Sequence, residues 1–163
     1  MRSFIAIVLF TLGLAGPAAA YDDPKALIEA IYAPYQAGQR HTEGVEQFYS
    51  SHLRGLLAGN LERHTASPDG APLDPNAPSM LDFNPFIEGD NALLLDLNIG
   101  EPIVTGEKAM VPVTFHNFDH TSLLAISAVR EADGWKIDDI AAMGQGENWL
   151  LSWLLQYDPF SVN

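Results

Sequence analysis

The clearest pattern of apolar and polar positions runs from Lys108 to Ile140. Ala109-Met110-Val111-Pro112-Val113-Thr114-Phe115 reads as a strand, a polar tip follows at His116 to Thr121, and Leu123 to Arg130 returns. Asp133-Gly134 then turns the chain into Trp135-Lys136-Ile137-Asp138-Asp139-Ile140, so the spacing predicts a three-strand meander. Asp-Gly supplies the two positive-φ positions of a type I′ turn, whose twist matches a hairpin, and the last two strands are expected to pair through it. Upstream, Leu93 to Ile99 and the short Ile103-Val104 also read as strands, with Gly106 turning into the meander. About four to five strands are expected.

Two periodic stretches come before the strands. Asp22 or Asp23 caps a helix opened by Pro24, and Leu27, Ile28, Ile31, Tyr32 and Tyr35 share one face. Pro34 should kink this helix or end it early, with Gly38 closing the segment. In the second stretch Val45, Phe48, Tyr49, Leu53, Leu56, Leu57 and Leu61 fall on a face expected to cover the sheet, with a break at Ser50-Ser51. From Thr65 to Ser79 periodicity disappears into a proline-rich loop, either a lid or a surface excursion. Leu81 to Asp90 is aromatic and acidic without alternation. Glu147 to Gln156 is apolar nearly all round, which implies a short C-terminal helix buried on more than one side, or one that leaves Trp149 and Trp153 as a stripe for a second subunit. N-terminal helices followed by a curved antiparallel sheet make an α+β fold.

Charge narrows the partners. Asp and Glu number 21 against 8 Lys and Arg, a formal net charge of −13. Such a chain repels nucleic acid and anionic lipid, which leaves solubility, or a cationic partner or substrate, as the reason for the excess. The first residues set an expected location. Met1-Arg2, the apolar run Phe4 to Leu14 and Ala18-Ala19-Ala20 have the layout of a signal peptide over residues 1–20, cleaved after Ala20, with 21–163 as a single periplasmic or secreted domain. The apolar run falls short of the roughly 20 residues needed to span a bilayer, and no other stretch is long enough. The chain has no cysteine, although an oxidising compartment would permit disulfides.

Phe48-Tyr49-Ser50 with Leu53, Leu56 and Leu57, then Asn84-Pro85-Phe86 with Gly89-Asp90, then Gly134-Trp135-Lys136-Ile137-Asp138-Asp139-Ile140 resemble a family of secreted bacterial domains of unknown function, numbered 3828. The family is related to the nuclear-transport-factor-2-like, cystatin-like superfamily. The resemblance implies a conical sheet curled round its helices and carries over no catalytic residue. Superfamily members use such a cavity for acid and base chemistry or for binding alone, so fold does not decide function.

Several residues are candidates for chemistry. His116, Asp119 and His120 at the polar tip carry imidazole and carboxylate donors for a metal, although a strand end and turn do not converge a histidine pair as a helix does. A calcium site at Asp69, Asp74 and Asn76 fails because no glutamate stands at the twelfth loop position. A cavity enzyme would take its base from Asp82, Asp90, Asp96 or Asp139, with His52 or His64 nearby. Alternation puts Asp139 on the covered face with Trp135 and Ile137, which makes it the foremost carboxylate, as a catalytic group or as a structural acceptor of backbone hydrogen bonds. Tyr32, Tyr35, Tyr49, Phe86 and Trp135 either line a pocket for an apolar ligand or fill the core. Nothing suggests nucleophilic catalysis, as there is no cysteine, no Gly-x-Ser-x-Gly elbow and no phosphate-binding glycine loop, and no cofactor is expected.

The sequence therefore reads as an exported, non-catalytic domain that binds a small apolar molecule or a cell-envelope protein. Two alternatives stay open. One is a cavity enzyme of the isomerase or hydratase type using a buried carboxylate. The other is an interaction or inhibitor protein working through the loop after Thr65 or the stripe at Trp149 and Trp153, whose mark would be an exposed apolar patch.

Overall fold

The computed structural model describes residues 20–65, 83–89, 93–144 and 148–157. Residues 1–19 of the expected leader, the loop after Thr65, Asp82 and Asp90 lie outside them. Helix α1 spans Pro24–Gln36, with Asp23 as N-cap accepting from the Lys25 amide at 3.0 Å. Pro34 falls in its last turn, and the helix ends two residues on, before Gly38 at φ +81°. Leu27, Ile28, Ile31 and Tyr32 are fully buried, each apolar side chain contributing roughly 1.5–3 kcal/mol by leaving water. This helix covers the sheet, meeting its first, third and fifth strands.

The second periodic stretch breaks where expected, into a 3-10 turn at Val45–Phe48 and helix α2 at Ser51–Thr65. Ser50 makes the break useful. Its amide donates to the Ile137 carbonyl at 2.7 Å, and its hydroxyl accepts from the Leu53 amide at 2.9 Å, an N-cap bond that also ties α2 to the sheet edge. The expected role of α2 as the sheet's cover does not hold. Leu53 is buried, but Leu56 and Leu57 are only partly so and Leu61 is exposed. The helix leans on the sheet margin and on the C-terminal helix, because its anchor at Ser50 sits outside the last long strand.

Among the described residues six antiparallel strands form one open sheet: β1 Leu94–Ile99, β2 Ile103–Thr105, β3 Lys108–Asn117, β4 His120–Glu131, β5 Gly134–Ala142 and β6 Trp149–Leu150. The order is β1-β3-β4-β5-β6, with β2 beside β1 along the same edge of β3. The gap between β1 and β2 falls opposite Pro112. Its carbonyl accepts from Gly100 on that side, so its ring occupies the side on which another residue would donate, and proline belongs at such an interruption. Gly100 is needed there, since a Cβ would stand 2.7 Å from the Pro112 ring.

Three expectations change in the sheet. The last hairpin is not type I′: Glu131 pairs with Gly134, and of the turn residues Gly134 alone has positive φ, at +107°. Glycine closes the loop instead of occupying its centre, as in three-residue hairpin loops. The strand count is six because Trp149-Leu150, read as helix, pairs with Ala142 and Ala141 before helix α3 begins at Leu151–Gln156. Asp139 does not share a face with Ile137. Ala128 pairs with Ile137 and Ser127 with Asp139, so Asp138 is an extra residue that bulges and shifts the alternation by one. Ile140 takes the core position instead and is fully buried.

Candidate functional site

The aromatic candidates are core residues. Tyr32, Tyr35, Tyr49, Phe86 and Trp135 are all buried, none more than 7% exposed. Tyr49 stacks on Phe86 at 6.2 Å between ring centroids, and Tyr32 meets Phe86 edge-on at 6.4 Å. The Tyr32 hydroxyl donates to the Phe86 carbonyl at 2.8 Å, and the Tyr35 hydroxyl accepts from Asn84 at 2.7 Å. Burial pushes the phenols of Tyr32 and Tyr49 well above their ordinary range, keeping both neutral. The short loop 83–89 acts as a plug. Asn84 and Gly89 bridge its ends, leaving Phe86 and Ile87 inserted among the α1 side chains and β3.

Asp139 faces away from this core and holds α3. One carboxylate oxygen accepts from the amides of Ile140 and Ser152, both at 2.9 Å, and the other from the Ser152 hydroxyl at 2.5 Å. A carboxylate at the first turn of a helix satisfies donors that lack partners within the helix. Replacing Asp139 by alanine is expected to cost about 1–2 kcal/mol, as loss of a cap does. It should also loosen α3, seen as a changed emission from Trp149 and Trp153 in a fold that is otherwise retained. An unaltered emission would show that the bonds do not hold the helix.

Asp138, the bulged residue, accepts from the Ser50 hydroxyl at 2.7 Å, with His52 Nδ1 at 3.2 Å. The carboxylate lies between serine and histidine, so the imidazole does not reach the hydroxyl as nucleophilic catalysis requires. His116 stands 3.6 Å from Asp96, Asp119 and His120 are exposed, and among the described residues no three His, Asp or Glu side chains converge to hold an ion. The side chain of His64 lies outside the described residues.

The surface holds what sequence reasoning missed. Directly paired residues share a face, and on the face away from α1 the register lines up Ile103, Met110, Ser127 and Asp139 in one row. Pro112, Ala125, Ala141 and Leu150 form the next, and Thr114 and Leu123 the one beyond. Apart from Asp139 at the margin these rows carry no charge, whereas the open face of an antiparallel sheet is normally polar, and the charges of the adjoining row, Lys108 and Lys136, lie at the β2–β3 end of the face. No described helix crosses this face, and α3 packs on β5 and β6 at its border. A groove of about 400 Å³ runs over it from Ile103 and Met110 to Ser127, Asp138 and Asp139.

At the β6 border the face continues into a ledge. A second hollow of about 470 Å³ is lined by Ala141, Met143, Asn148, Trp149, Leu150 and Trp153, among others. Trp153 is 50% exposed and pairs with Tyr157 at 5.4 Å between ring centroids, while Met143 and Leu150 are 51% and 42% exposed. Trp149 is half-buried against Phe83. The sequence did carry a signal for the face: Leu123 to Val129 is apolar or small at nearly every position, as in a strand whose two faces both meet protein.

No protein-family model matches the chain, and no curated protein matches it. Among solved structures, a chain of the type VI native effector-immunity complex Tae3-Tai3 from Ralstonia pickettii is similar to it. The match has 18% identity and a TM-score of 0.46, covering 77% of this chain and 99% of that one. A likeness this distant carries no functional argument. The fold defines the class, an α+β domain with one sheet face covered by α1 and the other open.

Proposed function

We propose that this chain is an interaction protein that binds a protein partner across the open sheet face and the adjoining ledge. The observation that carries the reading is a sheet face whose central rows, with Pro112, Leu123, Ala125 and Ala141, are uncharged and run into the exposed Leu150, Met143 and Trp153. Contiguous apolar surface of this kind marks association sites, and Trp and Tyr are the side chains that most often dominate binding energy there. The small-molecule reading loses its support, because its candidate aromatics fill one another's space in the core. The expected leader at residues 1–20 puts the encounter, in this reading, in the periplasm or outside the cell.

A photoreactive phenylalanine analogue at Ala125, in the full chain expressed in its native host, tests the proposal. A discrete cross-linked species from position 125, absent with the probe at the exposed Ala58 of α2, is the expected result. Its yield should fall at least tenfold when Trp153→Ala is added, the loss of one such anchor being worth about 2 kcal/mol or more. The same background from both positions would overturn the reading.

A further inference from the structure

The chemistry of the partner follows from how the chain spends its cations; the inference rests on the interaction reading above. Of its basic side chains, Lys25 pairs with Glu101, Lys136 with Asp133 at 3.0 Å, and Arg130 with Asp22 at 3.7 Å while lying over the Trp135 ring. Arg54 donates to the Tyr49 carbonyl and Arg63 to that of Leu155. Lys25, Lys136 and Arg130 are thus paired with carboxylates and Arg54 and Arg63 are tied to backbone carbonyls, while carboxylates outnumber cations 21 to 8. The open sheet face is bordered the same way. Asp138 and Asp139 stand along its β5 margin, Asp96 beside His116 at the β1 corner with its side chain 84% exposed, and Glu107 in the β2–β3 turn, against the exposed Lys108 and the buried Lys136, which is paired with Asp133.

We infer that the open face receives a protein whose contact surface has an apolar centre ringed by lysine and arginine. An uncharged middle with an acidic border is complementary to that arrangement in both respects, and opposed charges at a rim act mainly on encounter rate and specificity. A second copy of this chain would set two acidic borders against each other, and like-charge juxtaposition across an interface costs several kcal/mol. Anionic lipid and nucleic acid are repelled for the same reason.

The test starts from the species captured through position 125, purified and recombined with the full chain. Its dissociation constant should weaken by roughly tenfold or more between 50 and 500 mM NaCl, since exposed charges are screened over that range. It should weaken by a similar factor at low salt when Asp96→Asn and Glu107→Lys are combined. Asparagine is chosen at position 96 because the backbone there has φ +52°, which Asn tolerates. A salt-independent constant, tighter binding by the double variant, or a captured species that proves to be a second copy of this chain would each overturn the inference while leaving the interaction reading intact. Absence of any captured species overturns both.

Discussion

Replacing Tyr32 by alanine is expected to destabilise the protein by about 3–5 kcal/mol, the usual cost of truncating a large buried aromatic. Tyr32 is fully buried and touches the rings of Tyr35, Phe86 and Phe115, so its loss opens a cavity bounded by α1, β3 and the plug loop. The carbonyl of Phe86 also loses its donor, a further penalty of about 1–3 kcal/mol if no water replaces it. Against a total stability of roughly 5–15 kcal/mol for a domain, such a loss leaves the variant near or past its unfolding midpoint. Tyr32→Phe keeps the ring and removes only the hydroxyl, and should cost that hydrogen-bond penalty alone, about 1–3 kcal/mol. Urea unfolding of the pair separates packing from hydrogen bonding. Equal stabilities would mean that the ring faces empty space, and would restore the ligand-pocket reading of these aromatics.

Gly134→Ala should be nearly as damaging, at about 2–5 kcal/mol, although it adds a single methyl group. Gly134 has φ +107°, where an L side chain is strained, and the new Cβ would lie 2.7 Å from the Tyr21 carbonyl oxygen and 2.8 Å from the Tyr21 nitrogen. Either the hairpin or Tyr21 must move. Moving Tyr21 breaks the bond from the Trp135 amide to its carbonyl at 2.8 Å, and that amide belongs to a buried residue. Gly106→Ala is the control. Gly106 has φ +60°, and a methyl added there would meet nothing within 4 Å, so the change should cost only the local strain, about 1–2 kcal/mol. Thermal unfolding should show a clearly larger drop for Gly134→Ala, and equal drops would remove the contact with Tyr21 from the explanation.

Much of the architecture was legible locally. The apolar faces of α1 and of β3 and β4 follow from spacing alone, as does the helix break at Ser50, where the serine hydroxyl supplies the cap that the following turn lacks. The candidate surface was less legible. Leu150 and Trp153 belong to one apolar run, but their exposure depends on Leu150 leaving the helix to pair with Ala141. The face of Asp139 was misjudged because alternation assumes an unbroken ladder, and the Asp138 bulge exists only through the pairing of β5 with β4 and with Tyr49.

The sequence by itself determined the α+β class, the antiparallel meander, the caps and the acidic surplus, since each depends on neighbours within a few positions or on composition. Tertiary structure alone decided which helix covers the sheet, that the aromatics seal one another in, that Asp139 holds α3, and that a sheet face with uncharged central rows stays open beside Trp153. These depend on strand register and on which element reaches which edge first. A strand pattern that is apolar on both sides states that two faces want cover, and only the assembled fold shows which one the described helices leave open.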